Sequence, residues 1–350
     1  LMRAGQTAEA EALLDRLGRG QDDAGLFADT GGREALATRR VVASATEGIA
    51  EAYLALATVL RGPQAGEFSL ALVRLALQLR PRYGPALLAG AEALGDESQY
   101  QAALALLERA DPADPLAPVL ALRRAGLLDR LDRLPEAEGE LRRLAAEFPR
   151  AFQPVARLGD LYRSRQNWAA AIPAYDAAIG RLGVPSVTHW PLFYARGIAL
   201  ERAKRWPEAE ADFQRALSLN PEQPLVLNYL AYSWVELGQN LPEARRMFER
   251  AVELRPNDGN IADSLGWALY KLGDIPGAVR WLEKAVELES QSSVINDHLG
   301  DAYWAQGRRQ EALFQWRRAL ILGPEGDEGP KIEAKITNGL AGQPVAETRR

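Results

Sequence analysis

The C-terminal third of the chain contains one pattern twice. Residues 259–292 read GNIADSLGWALYKLGDIPGAVRWLEKAVELESQS, and residues 293–324 read SVINDHLGDAYWAQGRRQEALFQWRRALILGP. Aligned at a period of 34 residues, Leu265-Gly266 returns as Leu299-Gly300. A fixed period of this length is typical of stacked supersecondary units. The pattern therefore predicts an all-α array of helical pairs instead of one globular core.

The small residues of the pattern predict closely packed helices. Gly266 and Ala278, at positions 8 and 20 of the period, are expected to face each other within a pair. A larger side chain there would push the helix axes beyond about 8–10 Å. Ala285, at position 27, is expected to lie against the following pair in the same way.

These residues together resemble the tetratricopeptide repeat. That pattern has Leu-Gly at positions 7 and 8, aromatic residues at 11 and 24, alanine at 20 and 27, and proline at 32. The resemblance implies a right-handed superhelical solenoid of helix-turn-helix repeats. It also implies a protein that binds other proteins or peptides along the concave side of the solenoid.

The same phase divides the whole chain. Residues 1–46 are expected to hold a partial repeat and an irregular loop, so that the chain begins in mid-repeat and is a piece of a longer protein. Residues 47–117 are expected to form degenerate helical pairs, 325–341 a C-terminal capping helix, and 342–350 a disordered tail. The predicted regular repeats are 118–151, 152–185, 190–223, 224–258, 259–292 and 293–324.

Composition excludes several classes of function. The 350 residues carry a net charge of −5, which argues against nucleic acid as a partner because phosphate binding needs a basic face. The chain has no cysteine, so disulfides and thiolate metal sites are absent. No apolar run is long enough to predict a transmembrane segment.

The sequence offers little for catalysis. The motifs GxxxxGK[ST], GxSxG and HExxH are all absent, and only two histidines occur. His298 has Asp297 and Asp301 close by on a predicted helix, so a metal or acid-base site is one interpretation. The repeat packing explains the same residues, and we favour that interpretation. We therefore predict no catalytic residue, no metal and no cofactor.

A partner-binding groove is predicted on the first helices of the pairs. Trp267, Tyr270 and Trp304 are not required by the repeat packing pattern, and large aromatic residues commonly supply contact area for a peptide or helix. Internal packing is the alternative for each ring, as simple solvation is for the carboxylates. The predicted groove residues are Tyr194, Glu201, Asn228, Tyr232, Asn260, Asp263, Trp267, Tyr270, Asp297, Asp301 and Trp304.

The acids in this groove suggest what it would bind. Partner segments carrying Lys or Arg, or aromatic and apolar residues, would complement it. Asp263 and Asp297 occupy position 5 of successive repeats and would repel a peptide carboxylate. The carboxylate-clamp function of some tetratricopeptide proteins is therefore not expected.

The last third also looks like a narrower group. Residues 228–234, 263–267 and 296–304 resemble the C-terminal repeats of large proteobacterial periplasmic or outer-membrane-associated proteins. That group includes lipoprotein adaptors of a C-terminal processing protease. The resemblance implies a non-enzymatic scaffold in the bacterial cell envelope, in protein assembly or proteolysis, with the cytoplasm as the alternative location. A second hypothesis is a homo-oligomer formed through exposed solenoid ends.

Overall fold

The computed structural model describes residues 6–10, 12, 26, 42–60 and 66–340. The predictions for residues 1–46 fall largely outside these residues, and those for 342–350 fall wholly outside them. Within the described part the regular structure is entirely helical. This confirms the predicted all-α repeat class. None of these helices has the length and apolarity needed to cross a bilayer.

The chain divides into two compact units, Leu1–Asp212 and Phe213–Arg350, which we call unit 1 and unit 2. From Ala45 to Arg181, and again from Pro224 to Ile321, successive helices of the described chain pack as pairs, and a single helix follows the last pair. The helices of unit 1 are α1 (Ala45–Val59), α2 (Gly66–Leu79), α3 (Gly84–Asp96), α4 (Tyr100–Leu107), α5 (Ala117–Arg130), α6 (Leu134–Glu147), α7 (Gln153–Ser164), α8 (Trp168–Arg181) and α9 (Trp190–Arg202).

Unit 2 continues the same succession. Helix α10 (Trp206–Leu219) contains the boundary between the units. The helices that follow are α11 (Pro224–Glu236), α12 (Leu241–Leu254), α13 (Gly259–Lys271), α14 (Ile275–Leu288), α15 (Ser293–Ala305), α16 (Arg309–Ile321) and α17 (Glu328–Asn338).

Side-chain caps begin several of these helices. Asp258 accepts hydrogen bonds from the backbone N–H groups of Asn260 and Ile261 at the start of α13. Asp274 caps α14 in the same way through the N–H of Gly277. Each such cap is worth about 1 kcal/mol. The turn between α13 and α14 places Gly273 at a φ of +84°, a conformation that costs glycine nothing.

The position-8 glycines allow the two helices of a pair to approach closely. A Cβ atom on Gly266 would lie 2.7 Å from Cγ of Leu282, and one on Gly300 would lie 2.4 Å from Cδ1 of Trp316. The nearest atoms thus belong to position 24, one helical turn after the predicted position 20 and on the same face of the second helix. Ala278 and Ala312, at position 20, are completely buried.

Each unit buries its own apolar side chains. In unit 1 one cluster centres on Ala50, Ala76 and Leu87, and a second on Leu104 and Leu141. In unit 2 the second-helix alanines are completely buried, and Ala285 packs with Ala262 and Ile295. The fold is therefore held by contacts between neighbouring helices, as a repeat array requires.

The segment between α8 and α9 contains a short 3-10 helix, Val187–His189. His189 is buried there, and its Nδ1 accepts a 2.9 Å hydrogen bond from the backbone N–H of Ser186. The ring also makes an edge contact with Phe152, with 5.4 Å between ring centroids. His189 thus has a packing role in unit 1.

Substitution of a position-8 glycine tests the close approach. Gly300→Ala should lower the free energy of unfolding by about 1–2 kcal/mol, because the clash with the buried Trp316 ring outweighs the gain in helix propensity. Gly139→Ala is the matched control, since a Cβ there meets nothing within 4 Å. The control should raise stability slightly. Urea denaturation measures both, and equal effects of the two variants would contradict the packing described here.

Candidate partner-binding surface

The eleven predicted groove residues, called the first-helix column below, differ widely in environment. Tyr194 and Glu201 lie on α9 in unit 1, and the other nine lie on α11, α13 and α15 in unit 2. Tyr232 and Asn260 are exposed, Asp263 and Asp301 are buried, and the remaining residues are half-buried. Only part of the column is therefore available to a partner.

The two column residues of unit 1 are engaged locally. The ring of Tyr194 lies against Trp190, with 6.0 Å between centroids, and burial raises the pKa of its hydroxyl. Glu201 lies 3.4 Å from the guanidinium of the adjacent Arg202. Neither residue presents a fully open side chain.

Asp263 forms an ion pair across two repeats. Its carboxylate oxygens lie 2.9 and 3.1 Å from Nδ1 of His298 on α15. Burial alone would lower the pKa of His298, but Asp263, with Asp297 and Asp301 nearby, raises it above its usual value. The acid-base interpretation of His298 thus finds a carboxylate partner, although it is Asp263 and not the predicted Asp297 or Asp301. The pair lies in a packed position between α13 and α15.

Trp267 is packed against two other rings. It stacks on Tyr270, with centroids 5.0 Å apart and planes inclined by 11°. It also stacks on His298, with centroids 4.1 Å apart and planes inclined by 15°. Its Nε1 donates a 3.2 Å hydrogen bond to Glu236, and Lys271 lies over the ring. The ring therefore packs between neighbouring repeats, which agrees with the internal-packing alternative for this residue.

Asp297 and Asp301 bind an internal cation. Nζ of Lys335 on α17 lies 2.8–2.9 Å from oxygens of both carboxylates. Asp301 also accepts a 2.9 Å hydrogen bond from Nε1 of Trp316. Burial raises the pKa of Asp301, with Lys335 opposing that effect. The two acids are therefore largely neutralised within unit 2.

Trp304 is also enclosed by the C-terminal end of unit 2. Arg309 lies over its ring, 3.7 Å from the centroid. Gly339, just after α17, lies so close that a Cβ there would be 2.1 Å from the ring. Trp304 thus packs under the end of α17 and offers little free area.

One part of the column stays open. Asn228 and Tyr232 are four residues apart on α11 and share one face of that helix. Tyr232 is 38% exposed, which is high for an aromatic side chain. The Oδ1 atom of Asn228 is buried and accepts no hydrogen bond from the described residues. The exposed ring of Tyr232 is therefore the part of this face that a partner can reach.

Three contributing residues were not predicted. Lys335, Arg309 and Glu236 neutralise or cover predicted column residues, but none lies at a column position. Lys335 stands in the predicted capping helix, where helical spacing could have placed it on the inner face with Ile332, three residues before it. The contacts of the other two depend on rotamers that the repeat pattern does not specify.

Comparisons with known proteins agree with this architecture. The tetratricopeptide repeat family matches residues 156–224, 194–240 and 230–293. Together these matches span residues 156–293. The fold class inferred from the period thus agrees with an independent family match. No curated protein sequence matches the chain significantly.

Two solved structures resemble the chain. A tetratricopeptide repeat protein from Parabacteroides merdae is 19% identical, with a TM-score of 0.56, over 73% of this chain and 99% of that one. The Cut9–Hcn1 hetero-tetramer of the APC/C gives 16% identity and a TM-score of 0.60, over 82% of this chain. The similarity covers only 55% of the Cut9–Hcn1 chain. At these identities the similarity concerns the fold.

The His298–Asp263 pair should make stability depend on pH. Because the pKa of His298 is raised on folding, its contribution is complete below the unfolded pKa, near 6.5, and is lost as pH rises through the folded pKa. The loss should be roughly 1 kcal/mol for each unit of pKa difference. Denaturation of wild type and His298→Gln across this range measures it. His189 is present in both proteins, so parallel pH profiles would contradict the proposed contribution.

The Lys335 contact should stabilise unit 2. Lys335→Ala leaves two carboxylates without their cation and should lower the free energy of unfolding by about 2–3 kcal/mol. Lys331→Ala is the control, because this lysine is exposed and contacts only Asp327 and Glu328, close to it in sequence. It should leave stability nearly unchanged. Urea denaturation measures both variants. An unchanged free energy of unfolding for Lys335→Ala would contradict the stabilising role of this lysine.

Proposed function

We propose that this protein is a non-enzymatic scaffold that binds a segment of another protein on the first helices of unit 2. Tetratricopeptide repeats act as protein-interaction scaffolds, which supports the general role. The observation that carries the proposal is the open face of α11. There the Tyr232 ring is exposed on the helix face that it shares with Asn228. Asn260, which is exposed at the start of α13, is another residue of the first-helix column that a partner could contact.

The chemistry of this face indicates the kind of segment it would hold. The Tyr232 ring can hold a lysine or an arginine by a cation–π contact. The Tyr232 ring offers area to an apolar or aromatic side chain. We therefore retain the proposal of a partner with basic and apolar residues. The carboxylates of Asp263, Asp297 and Asp301 are not part of this binding surface, because His298 and Lys335 of the same unit contact them.

The absence of catalysis is part of the proposal. Nδ1 of His298 is committed to Asp263, and its ring face is covered by Trp267. These contacts account for the residue without a reaction. We also propose a finer role in cell-envelope protein assembly or proteolysis, at a periplasmic or outer-membrane location. This finer role is supported only by the resemblance of residues 228–234, 263–267 and 296–304.

Self-association is the second candidate function, and unit 1 offers one observation for it. On α1, Leu56 is 52% and Val59 is 82% exposed, and Phe68 on α2 is 58% exposed. Apolar side chains of this size on adjacent helices favour contact with another apolar surface. A second copy of the chain would be such a partner. In that case the mass measured by sedimentation should rise with protein concentration, and Phe68→Glu should abolish the rise.

Affinity capture tests the scaffold proposal. The full chain, immobilised, should recover partner proteins from a bacterial envelope fraction, and Tyr232→Ala should reduce their recovery about five- to tenfold because an exposed aromatic anchor is lost. Phe314→Ala is the matched control, since this ring is exposed on the second helix α16, outside the column. Recovery should be unchanged in the control, and both variants should melt like wild type.

Two outcomes would count against the proposal. Equal recovery by Tyr232→Ala and wild type would remove the α11 face from the binding surface. Recovery from a cytoplasmic fraction but not from the envelope fraction would leave the scaffold role standing and contradict the finer location.

A further inference from the structure

Unit 1 contains an open cleft between α2 and α4, the second helices of two successive pairs. Its volume is about 560 Å³. The residues on the α2 side are spaced three and four apart, so they lie on one face of that helix. They are Leu70, Val73, Arg74, Leu77 and Gln78. No residue of the first-helix column lies on either helix, and we call this separate site the α2–α4 cleft.

The floor of the α2–α4 cleft is apolar and continuous. Leu77 of α2 and Leu94 of α3 line it with buried side chains. A Cβ atom on Gly90 of α3 would lie 2.7 Å from Cδ2 of Leu106 and 3.2 Å from Cγ1 of Val73. Side chains of α2 and α4 therefore meet over the backbone of α3 and close the bottom of the cleft.

The α4 wall of the cleft is made of small residues. Ala102 and Ala105 line it, and both are exposed. Because alanine has no side-chain atom beyond Cβ, these two positions leave the space above the floor open. The volume of the cleft lies within the range of about 300–1,000 Å³ that is typical of small-molecule sites. The cleft therefore combines an apolar floor with room for an apolar chain.

Two arginines give the rim of the cleft a positive charge. Arg74 of α2 and Arg109, which follows the end of α4, both line the cleft and are exposed. Neither guanidinium group forms an ion pair with any residue in the described ranges. None of the described residues that line the cleft is acidic. The rim is thus complementary to an anion, although the chain as a whole carries a net charge of −5.

We propose that the α2–α4 cleft binds a single-chain anionic amphiphile of the fatty-acid class. The acyl chain would lie on the leucine floor, where removal of its surface from water favours binding. The carboxylate would face Arg74 and Arg109, whose guanidinium groups can form bidentate pairs with it. The side-chain amide of Gln78, on the same rim, is a further hydrogen-bond donor. The inference goes beyond the scaffold function and does not depend on it.

The lining of the cleft favours this ligand over a peptide or a nucleic acid. A peptide carries a backbone N–H and a C=O on nearly every residue, and these groups need hydrogen-bond partners when they leave water. Of the described side chains that line the cleft, only Arg74, Gln78 and Arg109 are polar. An acyl chain has no such requirement. Two arginines are also too few for nucleic acid, which binds through many phosphate contacts.

Isothermal titration calorimetry of the full chain with dodecanoate, below its micelle-forming concentration, tests the inference. One molecule of dodecanoate should bind per chain, and binding should weaken with added salt because the rim charges are exposed. Dodecyltrimethylammonium has the same chain and a cationic head. It should bind at least about tenfold more weakly, because both arginines repel it. Acetate, which has the carboxylate without the chain, should give no measurable binding.

Charge reversal tests where the carboxylate lies. Arg74→Glu combined with Arg109→Glu should weaken dodecanoate binding at least about tenfold, because hydrogen bonds to a charged group are lost. Arg130→Glu combined with Lys204→Glu is the matched control. These two cations are exposed in unit 1, do not line the cleft and give the same change in net charge. The control should bind dodecanoate like wild type.

Neutral substitutions test where the acyl chain lies. Ala105→Phe places a ring in the cleft and should abolish binding, while the protein melts like wild type because this position is exposed. Ala146→Phe is the control, since Ala146 is exposed on α6, the second helix of the next pair, and should bind normally. Phe68→Ala removes an exposed ring of α2 that does not line the cleft, and it should also bind normally.

Several outcomes would overturn the inference. These are failure of dodecanoate to bind, equal binding of dodecyltrimethylammonium, and equal loss of binding in a variant and its control. Binding to phosphatidylglycerol vesicles without binding of monomeric dodecanoate would indicate a membrane-contacting surface instead. Loss of binding with Phe68→Ala but not with Ala105→Phe would place the ligand on the exposed face of α2. The scaffold proposal is tested separately, by recovery of partners with Tyr232→Ala, and stands or falls on that result.

Discussion

The close contact between a glycine and a large residue in the last two helical pairs is the constraint on which the rest of unit 2 depends. Gly266 against Leu282 and Gly300 against Trp316 leave no room for even one added carbon atom. Because the second helix must present a bulky side chain at that height, its other buried positions are small, as the fully buried Ala278 and Ala285 illustrate. Once these positions are committed to packing, only the outer faces of the first helices are free to differ between repeats.

On those faces the carboxylates of unit 2 are matched by side chains of the same unit, with His298 at Asp263 and Lys335 at Asp297 and Asp301. Burying an ion pair adds little net stability but strongly penalises loss of one partner. These pairs therefore define the geometry of unit 2. In unit 1 the arginines of α7 also have acidic neighbours, with Asp160 close to both Arg157 and Arg163.

The 34-residue period was sufficient to predict the all-helical repeat class, because glycines and alanines at fixed spacing reflect distances between helix axes. It could not predict which column residues are open. Trp267 reaches His298, which is 31 residues later, and Asp297 reaches Lys335, which is 38 residues later. Contacts of this kind depend on side-chain direction and on the docking of α17, and neither is written in the period.

The docking of α17 has a consequence for how unit 2 behaves as a surface. This helix buries one large side chain, Ile332, and its main polar attachment is the single amine of Lys335. An element with so little buried area opens locally at a lower free energy than the pairs beneath it. Each opening would uncover two carboxylates and the Trp304 ring together, so the charge of the last repeat depends on the position of α17.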